Sequence, residues 1–145
     1  MGRGPREGPG SVRSPPFESL NALGLQFAKR QQYPFAIPAF EGALGLYPKP
    51  WKAHYNLALA LIQTGDRARA ANELRTITEE KLDYLPACNA LGVLLQSARE
   101  LEAAAEQFKA ALRIDSRSSI SAFNLVGSFN YKRNTLRTFI LHWTK

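Results

Sequence analysis

Residues 85–118 read LPACNALGVLLQSARELEAAAEQFKAALRIDSRS, and the residue pattern of this stretch recurs every 34 positions along the chain. Complete copies of the pattern begin at Phe17, Trp51 and Leu85, and a fourth copy begins at Ser119. In each complete copy a Leu precedes a Gly or Ala, and further apolar residues follow at fixed distances. These places hold Leu23, Gly24, Phe27, Ala36, Phe40 and Ala43; Leu57, Ala58, Leu61, Ala70, Leu74 and Ile77; and Leu91, Gly92, Leu95, Ala104, Phe108 and Ala111. Self-similarity at a period of this length is typical of stacked helical repeats.

The alternation of small and large residues predicts two antiparallel helices in each copy. Small residues such as Gly24 and Ala36 let the two helices approach closely, and large residues such as Phe27 and Phe40 fill the space beside them. A single helix pair cannot bury its apolar face alone, so neighbouring pairs stack and share a continuous core. We therefore expect an all-α solenoid built from antiparallel helix pairs.

The order of these residues, which closes on Pro48 in the first copy, resembles the tetratricopeptide repeat. The resemblance covers residue 17 to about residue 130 and implies a right-handed superhelical solenoid over residues 17–131. The implied units are residues 17–50, 51–84 and 85–118, followed by the first helix of a partial fourth unit at 119–131. The chain departs from the family at the fourth place of each copy, which is usually a large aromatic residue. This place holds Leu20, His54, Cys88 and Ala122.

The turns between the two helices of a copy differ in sequence. In the second copy Gly65 and Asp66 fit the expected glycine stop and acidic cap. The third copy has Arg99 and Glu100 in these places. We therefore expect a tighter or more helical turn in the third copy.

The two ends of the chain depart from the repeat. Residues 1–16 are rich in Gly, Pro and Arg and have little to bury, so we expect a disordered tail. The repeat pattern breaks after Asn130, and residues 132–145 form a divergent basic segment. Within this segment one amphipathic face predicts a short capping helix from Thr135 to Lys145. That face consists of Leu136, Phe139, Ile140 and Trp143.

A capping helix at 135–145 is one interpretation of this end, and an incomplete version of a longer repeat array is the other. We slightly favour the incomplete array, because the small residue that should meet the partner helix is missing. Under either interpretation Phe139 and Trp143 leave apolar surface exposed, which favours self-association through the C-terminal end.

The net charge of +7 resides mainly at the ends of the chain. Residues 1–16 carry three arginines against one glutamate, and residues 119–145 carry four basic residues and no acidic one. A nucleic-acid-binding domain would carry a basic stripe on a folded face, so we expect no nucleic-acid binding. The chain has no apolar run long enough to cross a bilayer and no apolar stretch of a secretory signal. We expect no membrane partner, and a cytoplasmic location follows by default.

Side chains suited to chemistry are few, and we expect no enzyme, no cofactor and no metal site. Cys88 occupies a packing place of the repeat, which predicts a buried and unreactive thiol. His54 and His142 lie in different copies and have no ligand partners at metal-binding spacing. His54 takes the place of a large packing residue, so we interpret it as core or as a wall of the binding groove.

The family resemblance implies a peptide-binding groove lined by the first helix of each copy. In the family the second, fifth, ninth, twelfth and thirteenth places usually face the ligand. Asn56 is added from the sixth place because it matches the clamp of chaperone-binding members. The candidate groove residues are Asn21, Leu25, Lys29, Lys52, Tyr55, Asn56, Leu59, Ile62, Gln63, Asn89, Val93 and Gln96.

Tyr55 is the expected anchor of the groove, because buried aromatic residues dominate interface energies. A merely solvated inner face is the alternative to a groove whose polar side chains hold a peptide backbone. Those side chains are Asn21, Asn89, Gln63 and Gln96. Chaperone-binding members grip a terminal carboxylate with a Lys-and-Asn clamp, whose places here hold Asn21, Leu25, Asn56, Pro86 and Ala90. Only Asn56 matches, so we expect no tight binding of chaperone C-terminal tails.

Two functional hypotheses follow from these observations. The first is a non-catalytic scaffold that binds a peptide or protein segment in the groove of the solenoid. The second is an assembly module that docks through its apolar C-terminal end onto another subunit or a longer repeat array.

Overall fold

The computed structural model describes residues 16–143, with side chains through Asn130 and at Arg133. This part of the chain consists of seven α-helices and no strand, which confirms the predicted all-α architecture. Each helix packs against the next along the chain, and α1 also contacts α3 as α5 contacts α7. The helices are α1 (Pro16–Lys29), α2 (Tyr33–Leu46), α3 (Trp51–Thr64), α4 (Arg67–Glu80), α5 (Leu85–Ser97), α6 (Leu101–Ile114) and α7 (Ser119–Trp143).

The two helices of a pair meet where a glycine faces an aromatic ring. A Cβ atom added at Gly24 would lie 2.5 Å from the Phe40 ring, and one at Gly92 would lie 2.5 Å from the Phe108 ring. In the second pair Ala58 takes the place of the glycine and the smaller Leu74 takes the place of the phenylalanine. The volumes are therefore matched pair by pair, as close packing of a protein interior requires.

All three turns inside the helix pairs share one backbone geometry. Gln31, Gly65 and Arg99 have φ angles of 59°, 86° and 66°, in the left-handed region. In each turn the next residue donates its N–H to the carbonyl five residues earlier, as Glu100 does to Leu95 at 2.9 Å. This is the Schellman motif that ends many helices. The expectation of a tighter turn at Arg99 was wrong, because packing of the two helices imposes the same turn on a non-glycine residue.

Helix α7 differs from the earlier first helices in its length. Arg133 occupies the place at which α1, α3 and α5 give way to a turn, yet the backbone stays helical to Trp143. The short separate helix expected after the pattern break is therefore the continuation of α7. No Gly or Pro stands between 132 and 143 to stop the helix. The expected disordered tail at 1–16 lies outside the described residues, except that Pro16 begins α1.

His54 on α3 is hydrogen-bonded to α4 and to the loop between α2 and α3. Its Nδ1 lies 2.6 Å from a carboxylate oxygen of Glu73, and its Nε2 lies 2.9 Å from the carbonyl oxygen of Pro48. Both neighbours are acceptors, so the doubly protonated ring donates to both. The hydrogen bond to Glu73 raises the pKa of His54 from its ordinary 6.5, and the Pro48 carbonyl adds to this against the opposing effect of burial. His54 is thus a structural link between helices.

Between Pro16 and Trp143 no helix has the length and apolarity needed to cross a lipid bilayer.

Replacing Gly92 with Ala is expected to destabilise the protein. The added methyl group would overlap the fully buried Phe108 ring, and overpacking of this kind outweighs the helix-propensity gain of about 1 kcal/mol. We expect the free energy of unfolding to fall by roughly 1–2 kcal/mol in urea denaturation followed by circular dichroism. Gly45→Ala is the matched control, because nothing lies within 4 Å of its added Cβ, and it should be neutral or stabilising. Adding Phe108→Leu to Gly92→Ala should recover part of the loss, and an undiminished stability of Gly92→Ala would contradict this account.

The link through His54 is expected to make stability depend on pH. Since the pKa of His54 is higher in the folded state than its unfolded value of 6.5, its contribution is fully present below that pH and is lost as pH rises through the folded pKa. Urea denaturation of the wild type should therefore show a fall in stability from about pH 6.5 upward. The fall should be smaller in His54→Gln and in Glu73→Gln. An identical pH dependence in the wild type and both variants would show that the link does not contribute.

Candidate functional site

The first helices of the repeats contact one another in two neighbouring pairs, α1 with α3 and α5 with α7. We name the surface that these four helices present the first-helix wall. Each pair has a hydrogen bond between side chains of neighbouring repeats. The Asn56 Nδ2 group donates to Asn21 Oδ1 at 3.4 Å, and the Ser121 hydroxyl donates to Asn89 Oδ1 at 2.8 Å. Polar contacts therefore join the helices of each pair, in addition to the apolar core beneath them.

A cavity of about 270 Å³ lies in the wall between α1 and α3. It brings together four of the predicted groove residues, Leu25, Asn56, Leu59 and Gln63. Leu25 and Leu59 are 38% and 40% exposed, so the cavity presents apolar side chains to its opening. The remaining lining residues are Ala28, Tyr33, Phe40 and Ala60. The arrangement suits one apolar side chain flanked by two amide groups that can hydrogen-bond to a peptide.

Tyr55 belongs to an aromatic cluster at one end of α3. Its ring meets Tyr84 edge-on at 5.3 Å, and Tyr84 in turn lies 4.4 Å from Trp51. The ammonium groups of Lys52 and Lys81 lie 5.3 Å and 5.6 Å from the Trp51 ring. Burial raises the pKa of the Tyr55 and Tyr84 hydroxyls, which favours their neutral form. Tyr55 is therefore fixed in place and half-buried.

The other predicted groove residues have more varied surroundings. Val93 is 46% exposed on α5, and Ile62 is half-buried against the core. The side-chain amide of Gln96 lies over α7, because a Cβ added at Gly127 would meet its Nε2 at 3.3 Å. Lys29 and Lys52 are exposed.

Two of the asparagines predicted to line the groove are hydrogen-bonded to each other. The Asn56–Asn21 contact uses one donor and one acceptor of the pair, and the Oδ1 atom of Asn89 accepts from Ser121. These partners come from neighbouring copies of the repeat. The position of a residue within its own copy therefore could not reveal them.

The cavity and the wall include residues that the sequence did not single out. Tyr33 and Phe40 reach the cavity from α2, although the groove was expected to use first helices alone. Ile120 and Phe123 are 66% and 77% exposed on α7, at the second and fifth places of the fourth copy. Extending the repeat register into that copy would have identified both.

A second cavity, of about 500 Å³, lies between the second helices α4 and α6. Its floor includes Cys88, Leu91 and Leu95, and charged residues such as Arg75 and Glu106 lie at its edge. Cys88 stands where the family usually has a large aromatic residue, so the space follows from a small side chain. In the preceding repeat this place holds His54, which is bonded to its neighbours as described above.

The side chains that could take part in chemistry, Cys88 and His54, are engaged in packing or in structural hydrogen bonds. Cys88 is 2% exposed, and burial raises the pKa of its thiol, which disfavours the reactive thiolate. Both ring nitrogens of His54 have acceptor partners. Among the described side chains, those of residues 16–130 and of Arg133, no three His, Cys, Asp or Glu residues form a group that could hold a metal ion.

Comparison with known proteins places this architecture in a family. Two models of the tetratricopeptide repeat match the chain, one at residues 27–92 and the other at residues 85–118. A comparison with curated proteins finds no match.

Many solved structures share the fold. The TPR domain of Sgt2 from Aspergillus fumigatus is 22% identical with a TM-score of 0.76, and the alignment covers 90% of this chain and 88% of that domain. The first TPR of Spaghetti (RPAP3), bound to the HSP90 peptide SRMEEVD, is 17% identical with a TM-score of 0.76, covering 81% and 93%. The TPR2B domain of yeast Sti1, solved in a complex with pHsp70, is 17% identical with a TM-score of 0.72, covering 81% and 99%.

The repeat register, the helix pairs and these family matches agree, and the chain is a member of the tetratricopeptide repeat family.

Proposed function

We propose that this protein is a non-catalytic interaction scaffold that binds an extended peptide or protein segment along the first-helix wall. The observation that carries the proposal is the 270 Å³ cavity between α1 and α3, in which exposed Leu25 and Leu59 lie beside the amides of Asn56 and Gln63. Such a site binds an apolar side chain and fixes the backbone on either side of it by hydrogen bonds.

The surroundings of the cavity support the same mode of binding. Tyr55 and its aromatic neighbours lie further along α3 and offer rigid apolar contact at little cost in conformational entropy. Val93 on α5 and Phe123 on α7 continue the apolar surface toward the C-terminal repeat. Similar folds have been solved with ligands, the Spaghetti domain with the HSP90 peptide SRMEEVD and Sti1 TPR2B in a complex with pHsp70. We extend peptide binding, as a class of activity, from those proteins to this one.

The ligand is expected to differ from those peptides in how it is held. The place of the clamp at Leu25 is apolar and lines the cavity, and of the five clamp places only Asn56 carries a matching residue. This wall therefore selects an apolar side chain inside a segment, and not a terminal carboxylate.

A second candidate function is docking onto another subunit through α7. Val126 and Phe129 on this helix are 56% and 52% exposed, which leaves an apolar face available to a partner.

Replacing Leu59 with Glu is expected to weaken peptide binding strongly without unfolding the protein. Peptides would first be selected against the wild type from a random library, and their binding measured by fluorescence anisotropy. Losing the burial of one apolar side chain costs about 2 kcal/mol, which corresponds to roughly thirtyfold weaker binding. The selected peptides should share one large apolar residue.

The matched control for this experiment is Leu82→Glu, because Leu82 is 77% exposed and lies outside the wall. Circular dichroism would check that both variants keep their helical content. Equal binding of the selected peptides by the wild type and Leu59→Glu would contradict binding at the cavity.

A free terminal carboxylate is expected to make no difference to peptide affinity. The peptide SRMEEVD and its C-terminally amidated form should both fail to bind at micromolar concentration in isothermal titration calorimetry. Only one of the five clamp places carries a matching residue, so no cluster of positive charge awaits the carboxylate. Micromolar binding that is lost on amidation would overturn this prediction.

A further inference from the structure

On the outer face of α7, residues are exposed at the places of the repeat that are buried in the earlier copies. We name this surface the stacking face and define it as Ala122, Val126 and Phe129, the fourth, eighth and eleventh places of the fourth copy. In the second and third copies the second helix of the repeat covers these places. There they hold His54, Ala58 and Leu61, and Cys88, Gly92 and Leu95, which are buried or half-buried.

No second helix covers the stacking face within the described part of the chain. Helix α7 continues past Arg133, the place at which the earlier copies turn back. Val126 and Phe129 are consequently 56% and 52% exposed, whereas Ala58 and Leu61 at the same places are 0% and 1% exposed. The residues of the stacking face therefore occupy the places that contact the second helix in the earlier copies.

The shape of the stacking face restricts which helix it accepts. In the first and third pairs the eighth place must be glycine, because a Cβ atom at Gly92 would come within 2.5 Å of the Phe108 ring. The fourth copy has Val126 there. A helix with the family's usual phenylalanine would therefore clash, and the fitting helix carries a small residue opposite Val126.

The charge around the stacking face restricts the partner as well. Arg133 is exposed and follows Phe129 by about one helical turn, on the same side of α7 as the stacking face, and residues 119–130 carry no charge. A second copy that presented the same face would bring its own Arg133 to the interface, and the two positive charges would repel each other. A helix with acidic residues beside its apolar stripe is complementary in charge.

We propose that the stacking face binds an acidic amphipathic helix of another protein, which carries a small residue opposite Val126 and takes the place of the missing second helix. This inference rests on the second candidate function, docking through α7, and it gives the chemistry of the partner. It is independent of peptide binding at the cavity between α1 and α3.

The proposal can be tested with synthetic helix-stapled peptides as long as α2, α4 and α6, which have 14 residues each. One peptide carries acidic flanks and Ala opposite Val126, a second has Phe in place of that Ala, and a third has basic flanks. We expect the acidic Ala peptide to bind the full chain with an affinity that falls as salt rises. The Phe peptide should bind about tenfold more weakly, and the basic peptide should not bind.

Variants of the face make the test specific. Val126→Gly should reverse the preference and favour the Phe peptide, a result that a nonspecific apolar contact would not give. Phe129→Glu should abolish binding of the acidic Ala peptide, whereas Leu82→Glu should leave it unchanged. Circular dichroism and binding of the library-selected peptides would show that Phe129→Glu remains folded.

Three outcomes would overturn the proposal. These are no binding of the acidic Ala peptide, equal binding of the Ala and Phe peptides by both the wild type and Val126→Gly, and a dimer in sedimentation that Phe129→Glu dissociates. The last would show that a second copy occupies the face. Failure here leaves binding at the cavity intact, because that binding is measured separately with Leu59→Glu.

Discussion

The close contact between the two helices of each repeat is the constraint on which the rest of this structure depends. Gly24 and Gly92 allow the rings of Phe40 and Phe108 to pack directly against the first helix. This contact sets the distance between the helices of a pair. Because each pair stacks on the next, it also sets the spacing of the first helices and the shape of the wall between them. The 34-residue period of the sequence follows from the repetition of this contact.

The helix pairs could be predicted from the sequence because their determinants lie within one period. The turn at Arg99 could not, since its left-handed backbone is imposed by the packing of α5 on α6 and not by the residue itself. The length of α7 was missed for a related reason. The break in the repeat pattern was interpreted as a break in the helix, although the sequence after Asn130 contains no residue that stops one.

The candidate site, like the fold, could be predicted from the sequence only in part. The register of the repeat identified the first-helix residues, and four of them line one cavity. It could not identify what neighbouring copies do to one another, such as the hydrogen bond between Asn21 and Asn56 or the one between Asn89 and Ser121. These contacts join residues that are 35 and 32 positions apart, and they depend on how one repeat is rotated against the next. A period describes each copy, whereas a binding surface is made between copies.

The residues of helix α7 belong to three different surfaces. Successive residues of an α-helix are rotated by about 100°, which places three pairs of α7 residues roughly 120° apart around the helix axis. The pairs are the buried Ser121 and Ser128, Ile120 and Phe123 on the wall, and Val126 and Phe129 on the stacking face. The first surface joins α7 to the preceding repeat, where Ser121 bonds to Asn89. The second belongs to the first-helix wall, and the third faces away from both. A peptide on the wall and a helix on the outer face of α7 would therefore contact different sides of one rigid element, so both can be bound at once without competing for the same residues.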